Sequence, residues 1–255
     1  MEKVAAVILC GGVGDRIKEY IKEKQKFTPS GNPIPKVLLP LADNRTILEH
    51  SMDIVKRSNV VDKIYLTLFY EPEFIRNYIE SKNTFPVEFV VEKIKMGTGG
   101  FLYLIKDKLK QHKNFFVNNG DNLYDVDLKE ALKVHLENNA TATIILNRSF
   151  NVQNKSVVEL DGKKISKFVY CSKEGDALLH SGLAILNAKV FDYLPDDPEF
   201  LLNGKDGISL EKYVYPMIAE KGELYYYLPE NDPLWFDTGT RESIEEVNRL
   251  WKNDS

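Results

Sequence analysis

Apolar positions along the chain follow two rhythms. Short unbroken runs rich in β-branched and aromatic residues exchange with stretches whose apolar side chains recur every three or four positions, the pattern of buried strands alternating with amphipathic helices. The runs are Val4–Leu9, Ile64–Phe69, Val87–Val91, Phe115–Asn118 and Thr141–Leu146, and their spacing fits one central sheet. Thr46-Ile-Leu-Glu49 has the form of a capping box, in which hydroxyl and carboxylate satisfy each other's free amides, so a helix is expected through about Arg57. Asp127-Leu-Lys-Glu130 caps another, with Ala131, Leu132, Val134, His135 and Leu136 at helical spacing. Alternation of this kind predicts an α/β fold with an open, mainly parallel sheet flanked by helices.

Beyond about residue 150 the rhythm changes. Ser156–Leu160, Ile165–Tyr170, Leu183–Leu186 and Glu223–Leu228 read as strands, with Asp161-Gly162 turning the first hairpin. Ser209 to Glu220 and Thr240 to Trp251 carry helical periods. A smaller, strand-rich part is therefore added to the first sheet. Lys18–Pro35 and Pro195–Gly207, polar and bearing Pro and Gly, read as surface loops. No linker, repeat or low-complexity run divides the chain, so a single domain over residues 1–255 is expected.

Composition narrows the function. The chain is 43% hydrophobic and 28% charged, which excludes disorder and a fibrous repeat. With 38 acidic and 34 basic residues the net charge is 34 − 38 = −4, so no global field draws it to nucleic acid and any phosphate must be held locally. The N-terminal apolar run Val4 to Cys10 is strand-length, far short of the roughly 20 residues that span a bilayer, so no membrane partner is expected. Cys10 and Cys171 are too few for a disulfide framework and lack zinc-site spacing, and the expected home is a reducing cytoplasm.

Candidate chemistry begins directly after the first strand. In Gly11-Gly12-Val13-Gly14-Asp15-Arg16 the glycines allow backbone amides close to a phosphate, and Arg16 can fork onto its oxygens. Ile17 stands where a Rossmann dinucleotide fingerprint needs glycine, and no P-loop Gly-Lys-Ser/Thr follows. Pro35-Lys36-Val37-Leu38-Leu39-Pro40 fixes one lysine between prolines, a rigid placement for a point charge on polyphosphate. Asp121, after the strand ending near Asn118, falls at the carboxyl edge of the sheet, where ligands bind in such folds. Asp237, in Trp235-Phe236-Asp237-Thr238-Gly239-Thr240, adds a second carboxylate, and Mg²⁺ takes one or two of these with substrate phosphate oxygens. Taken singly, each has a structural alternative: a chain-reversing glycine turn, a surface lysine, a capping or turn aspartate.

The ordered set Gly-Gly-x-Gly-x-Arg, Pro-Lys, Gly-Asp and Asp-x-Gly-Thr, with Glu92, Gly97-Thr98-Gly99-Gly100 and Ser181-Gly182 between, resembles the sugar-1-phosphate nucleotidyltransferases, or nucleoside-diphosphate-sugar pyrophosphorylases. The resemblance covers nearly the whole chain and implies a Rossmann-like mixed, mainly parallel sheet. Residues 1–150 would form a nucleotide-binding core, and residues 151–255 a sugar-binding part with the closing helix. It implies a Mg²⁺-dependent enzyme that joins a nucleoside triphosphate to a sugar 1-phosphate by in-line attack on the α-phosphorus, releasing pyrophosphate. Carried over, Arg16, Lys36 and Asp121 would be catalytic, with Asp121 and Asp237 on the metal. Leu9, Gly11, Gly12, Gly14, Glu92, Gly97 and Thr98 would hold the nucleotide, and Gly182 would line the sugar. With 255 − 239 = 16 residues after Gly239, a short form without a C-terminal β-helix is expected, of the kind seen in mannose- or heptose-1-phosphate guanylyltransferases and their relatives.

Three departures stand out. Asp15 replaces the usual Ser or Thr before the arginine, and 36 − 16 − 1 = 19 residues separate Arg16 from Lys36, longer than usual. The Glu-Lys pair that holds the sugar phosphate in many members would fall near Tyr170-Cys171, where neither charge exists, leaving Lys173 or, more weakly, His180 as substitutes. Two rival readings remain. Asp125-Val126-Asp127 matches the Asp-x-Asp of metal-dependent nucleotide-sugar glycosyltransferases, although Asp127 already has a capping role. A non-catalytic regulatory homologue could keep the fold alone. A homodimer is the commonest assembly of soluble chains.

Overall fold

A computed structural model describes residues 4–82, 85–149, 155–171, 175–196, 207–231 and 234–253. Its centre is a nine-stranded sheet in the order β3-β2-β1-β4-β9-β6-β10-β8-β7. The strands are β1 (Val4–Leu9), β2 (Val61–Leu68), β3 (Val87–Val91), β4 (Asn114–Asn119), β6 (Ala142–Ser149), β7 (Lys155–Asp161), β8 (Lys164–Cys171), β9 (Ala177–Asn187) and β10 (Leu224–Tyr227). β5 (Asn122–Tyr124) and β11 (Trp235–Asp237) pair separately. The sheet is mixed: β3, β2, β1 and β4 run parallel, β10 is parallel to β6, and β9 enters antiparallel between β4 and β6.

β1 shows why the first run is unbroken. Its side chains alternate faces: Val4, Ala6 and Ile8 join one core, Ala5 and Val7 the other. The first core is closed by α2 (Ile47–Arg57), α3 (Pro72–Lys82) and α6 (Leu128–Glu137), through Leu48, Met52, Ile75, Ile79, Ala131 and Leu132. The second is closed by α4 (Phe101–Leu104), α5 (Lys106–Leu109) and the helix Tyr215–Glu220, through Phe101, Leu109, Tyr215 and Ile218. Both expected caps form: Thr46 and Glu49 complete the capping box, and Asp127 accepts the Lys129 amide at 2.8 Å. Buried His135 ties α6 to the sheet, bonding Thr143 at 2.9 Å and Asn114 at 3.1 Å.

The expected loop Lys18–Pro35 is instead structured at its start. Helix α1 (Lys18–Glu23) buries Tyr20 and Ile21 with Ile34, Ile244 and Val247, so this segment packs on the closing helix Arg241–Asn253. The loop expected over Pro195–Gly207 falls largely outside the described residues. Ser209 to Glu220 begins as a π turn, Leu210–Val214, before becoming α-helical. Among the described residues no helix is long and apolar enough to cross a membrane.

Candidate active site

The site grows from the carboxyl ends of β1 and β4. These strands are parallel neighbours, Leu9 opposite Asn119, and both chains turn sharply just beyond. Gly120 donates its amide to the Leu9 carbonyl at 3.0 Å, and a Cβ there would lie 2.9 Å from the same oxygen, so only glycine permits the approach. Gly14 adopts φ +72° and would bring a Cβ 3.3 Å from the Lys36 Cβ, which lays the glycine loop against the turn Lys36–Leu38. Lys36 is 7% exposed, and its ammonium donates to Asp121 Oδ2. Cys10, under the loop, stays a neutral thiol because burial, with Asp121 nearby, pushes its pKa far up.

Asp237 arrives from the other end of the chain. β11 pairs antiparallel with β5, setting Asp237 opposite Asn122, and Thr238 donates its amide at 3.3 Å and its hydroxyl at 2.5 Å to the Asp121 carbonyl. Two aspartates far apart in sequence thus share one edge. Arg16 Nη1 lies 3.9 Å from Asp237 Oδ2, and its guanidinium passes over Gly239, where a Cβ would be 2.7 Å from Cζ. Each candidate cation therefore faces one candidate metal carboxylate. Asp15, the departure from the usual loop, is exposed to solvent.

This donor set suits a hard divalent ion. Among the described residues no group of three or more His, Cys, Asp or Glu could close a metal site alone. Mg²⁺ does not need one, since it retains water and binds through one or two carboxylates plus phosphate oxygens. Asp121 and Asp237 match that requirement.

The opposite wall is made by two segments zipped together. Ile208 donates to the Met96 carbonyl at 2.8 Å and Gly99 to the Ile208 carbonyl at 2.7 Å, with Gly97 at φ +79° turning between. Glu92 accepts the Met96 amide at 3.1 Å; burial raises its pKa, and that amide only partly opposes the rise. Thr98 spends its hydroxyl within the wall, donating to Glu211 at 2.9 Å and accepting the Leu210 amide at 2.9 Å. Between the walls lies a cleft of about 390 Å³, onto which Leu9, Gly11, Gly12, Lys36, Glu92, Gly97, Thr98 and Asp121 all open. Lys95, Ser209 and Lys212 open onto it too and were not singled out from sequence. Ser209 was legible as a helix start, but its pairing with the loop after β3 is a long-range contact without local signal.

The sugar-side candidates take other positions. Gly182 sits in a bulge of β9 at φ +86°, behind the acidic edge and not among the residues lining the cleft. The neighbouring Ser181 carbonyl accepts Asn122 Nδ2 at 2.6 Å and Trp235 Nε1 at 2.7 Å, pinning β11, which ends in Asp237, and β5, which follows Asp121 directly. His180 Nδ1 lies 3.9 Å from Glu211 and its ring meets Tyr215 edge-on at 5.6 Å. Burial pushes the His180 pKa down against the pull of Glu211. Lys173 lies outside the described residues. Asp125 and Asp127 line a separate groove with Glu130 and Tyr227, and Asp127 serves as the cap of α6.

An open sheet with a glycine loop and an acidic pair at its carboxyl edge defines an α/β protein of the Rossmann-like class. Within that class the chain belongs to the nucleotidyl transferase family, whose model, described as "Nucleotidyl transferase", matches residues 5–253. It is 27% identical over 96% of its length to "Mannose-1-phosphate guanylyltransferase 1" of Arabidopsis thaliana, covering 66% of that protein. It is 31% identical over 96% of its length to "Bifunctional protein GlmU" of Methanococcus vannielii, covering 54%. The chain thus spans less than two thirds of these relatives' lengths. In fold it is similar to HddC from Yersinia pseudotuberculosis, whose crystal structure is described as complexed with GMP-PN. That match has a TM-score of 0.74 and 21% identity over 97% of this chain and 99% of that one.

Proposed function

We propose that the chain is a sugar-1-phosphate nucleotidyltransferase, joining a nucleoside triphosphate to a sugar 1-phosphate with release of pyrophosphate. The observation that carries this reading is the meeting of Asp121 and Asp237 beside the glycine loop, with Lys36 and Arg16 each facing one of them. Residues 1–150 would hold the nucleotide together with Asp237 of the closing segment, and the rest of residues 151–255 the sugar. Gly11 and Gly12 bring backbone amides to the triphosphate. Glu92, Gly97 and Thr98 form the base side, and Leu9 closes the floor.

Mg²⁺ held by Asp121 and Asp237 would supply positive charge that screens the two polyanions and draws electrons from the α-phosphorus. Phosphate oxygens compete with the carboxylates for Lys36 and Arg16, which then face the charge that grows on the leaving pyrophosphate. An oxygen of the sugar phosphate forms the new bond to the α-phosphorus as the bond to the β,γ-pyrophosphate breaks in line. A phosphate monoester, with a second pKa of about 6, is already ionised near neutrality, so no general base is required. Positioning is the main task of the protein.

The names of its relatives make GTP and mannose 1-phosphate the first substrates to try. A pyrophosphate-release screen of four nucleoside triphosphates against a panel of sugar 1-phosphates tests this directly. Mg²⁺-dependent release should be greatest for one pair, with GTP and mannose 1-phosphate expected. Absence of release from every pair, with nucleotide still bound, would favour the non-catalytic homologue.

A further inference from the structure

Two polyanions must enter one cleft, yet Lys36 and Arg16 both sit at the acidic edge, facing carboxylates that belong with the triphosphate and its metal. The second phosphate needs a cation placed elsewhere. Two other lysines open onto the cleft, Lys95 and Lys212. Lys95 belongs to the loop after β3, between Glu92 and Gly97 on the base side. Lys212 lies in the first turn of the segment that starts at Leu210, on the side where the chain meets β9.

That turn is unusually well held. Ser209 caps it, accepting the Lys212 amide at 3.1 Å. Glu211 gathers the Thr98 hydroxyl at 2.9 Å and the Ser209 hydroxyl at 3.0 Å on one carboxylate oxygen, while its other oxygen lies 3.9 Å from His180 Nδ1. One carboxylate oxygen therefore ties the turn to the nucleotide loop through Thr98, while the other faces His180 of β9, two residues before Gly182. Lys212, next in sequence and exposed, is presented to the cleft by a rigid turn that spans the join between the nucleotide and sugar sides.

We propose that Lys212 receives the phosphate of the sugar 1-phosphate, and that Glu211 is the positioning residue that fixes the turn carrying it. This rests on the nucleotidyltransferase reading and names the phosphate-holding cation of that same site.

The test measures KM for each substrate separately, with GTP and mannose 1-phosphate or the pair the screen selects. Lys212→Met should raise the KM for the sugar 1-phosphate roughly 10- to 100-fold, the loss expected for one charged hydrogen bond, and leave the KM for the nucleotide and the Tm unchanged. Lys212→Arg should recover most of the loss. Glu211→Gln should move the same KM in the same direction by less, and add little in the double variant with Lys212→Met. A rise confined to the nucleotide KM, or the sugar-phosphate defect appearing in Lys95→Met instead, overturns the assignment.

Calorimetric titration of wild type and Lys212→Met with the same sugar 1-phosphate separates the two readings. Tenfold tighter binding by wild type without turnover upholds Lys212 and removes the reaction. Turnover with equal KM in both proteins upholds the reaction and removes Lys212. Binding by neither protein, with no turnover, removes both.

Discussion

At the scale of single residues, the site depends on oxygens and glycines more than on any nucleophile. Asp121→Asn or Asp237→Asn removes one charge from the acidic pair yet keeps its shape, so each should lower Mg²⁺-dependent pyrophosphate release at least about 100-fold. The Tm should stay nearly unchanged in Asp237→Asn and fall in Asp121→Asn, which leaves the buried Lys36 ammonium without its carboxylate. EDTA should do the same to wild type, reversibly on adding Mg²⁺. Unchanged turnover in both variants would remove the metal assignment. Gly239 separates position from charge. An added Cβ there would meet the Arg16 guanidinium and Asp237 Oδ1, both at the free ends of side chains, so the backbone need not move. Gly239→Ala should therefore raise the nucleotide KM about tenfold, equivalent to roughly 1.4 kcal/mol, without a measurable change in thermal stability. Loss of stability would instead show that Gly239 matters to the fold.

At the scale of elements, the clearest case is the start of α2. Glu49 is half-enclosed, which alone would raise its pKa, but the Thr46 amide and hydroxyl, the Tyr78 hydroxyl and the Lys82 ammonium outweigh that and hold it at about 2. A carboxyl depressed in the fold adds stability that is complete above its unfolded pKa, near 4.5, and is lost as pH falls towards 2. Wild type should thus lose stability over that window faster than Glu49→Gln, as measured by denaturant midpoints at stepped pH. Thr46→Ala should cost about 1 kcal/mol at neutral pH. This box was legible because capping is local. β1 and β4 were legible for another reason: covered on both faces, they carry no polar alternation to blur them, whereas β3, at the sheet edge with only Val90 buried, was legible from its β-branched and aromatic residues. α3 is less legible because only Ile75 and Ile79 of its eleven residues are buried. β5 and β11 are three residues each, too short for a period, and their pairing depends on partners over a hundred residues away. The same holds for α1, whose Tyr20 and Ile21 acquire meaning only from Ile244 and Val247. The glycine loop, Lys36 and both aspartates were visible as motifs; Lys212 was not, since the contact between the Met96–Gly99 loop and the Ile208 segment leaves no trace in either sequence alone.

At the scale of the whole molecule, β9 prevents the two parts from behaving as separate units. It bonds β4 on one side and β6 on the other, so the ladder of the strands before residue 150 continues without a break into those that follow it. Amides of β1 and β10 should accordingly exchange hydrogen at one common limiting rate, that of global opening; two separated rates would reveal independent units. The cleft adds a further link, because its walls come from the ends of β1 and β4 and from the segment near Leu210, which shares one buried core with Val7 and Val117. A ligand that touches both walls binds the folded chain and not the unfolded one. Nucleotide with Mg²⁺ at a hundred times its Kd should then add about 2.7 kcal/mol, which for a chain of this length corresponds to a rise in Tm of roughly 5–10 °C. In Asp121→Asn the Mg²⁺-dependent part of that rise should vanish while the transition stays single. A rise that persisted in full would place the nucleotide away from the acidic edge, and the proposed site with it.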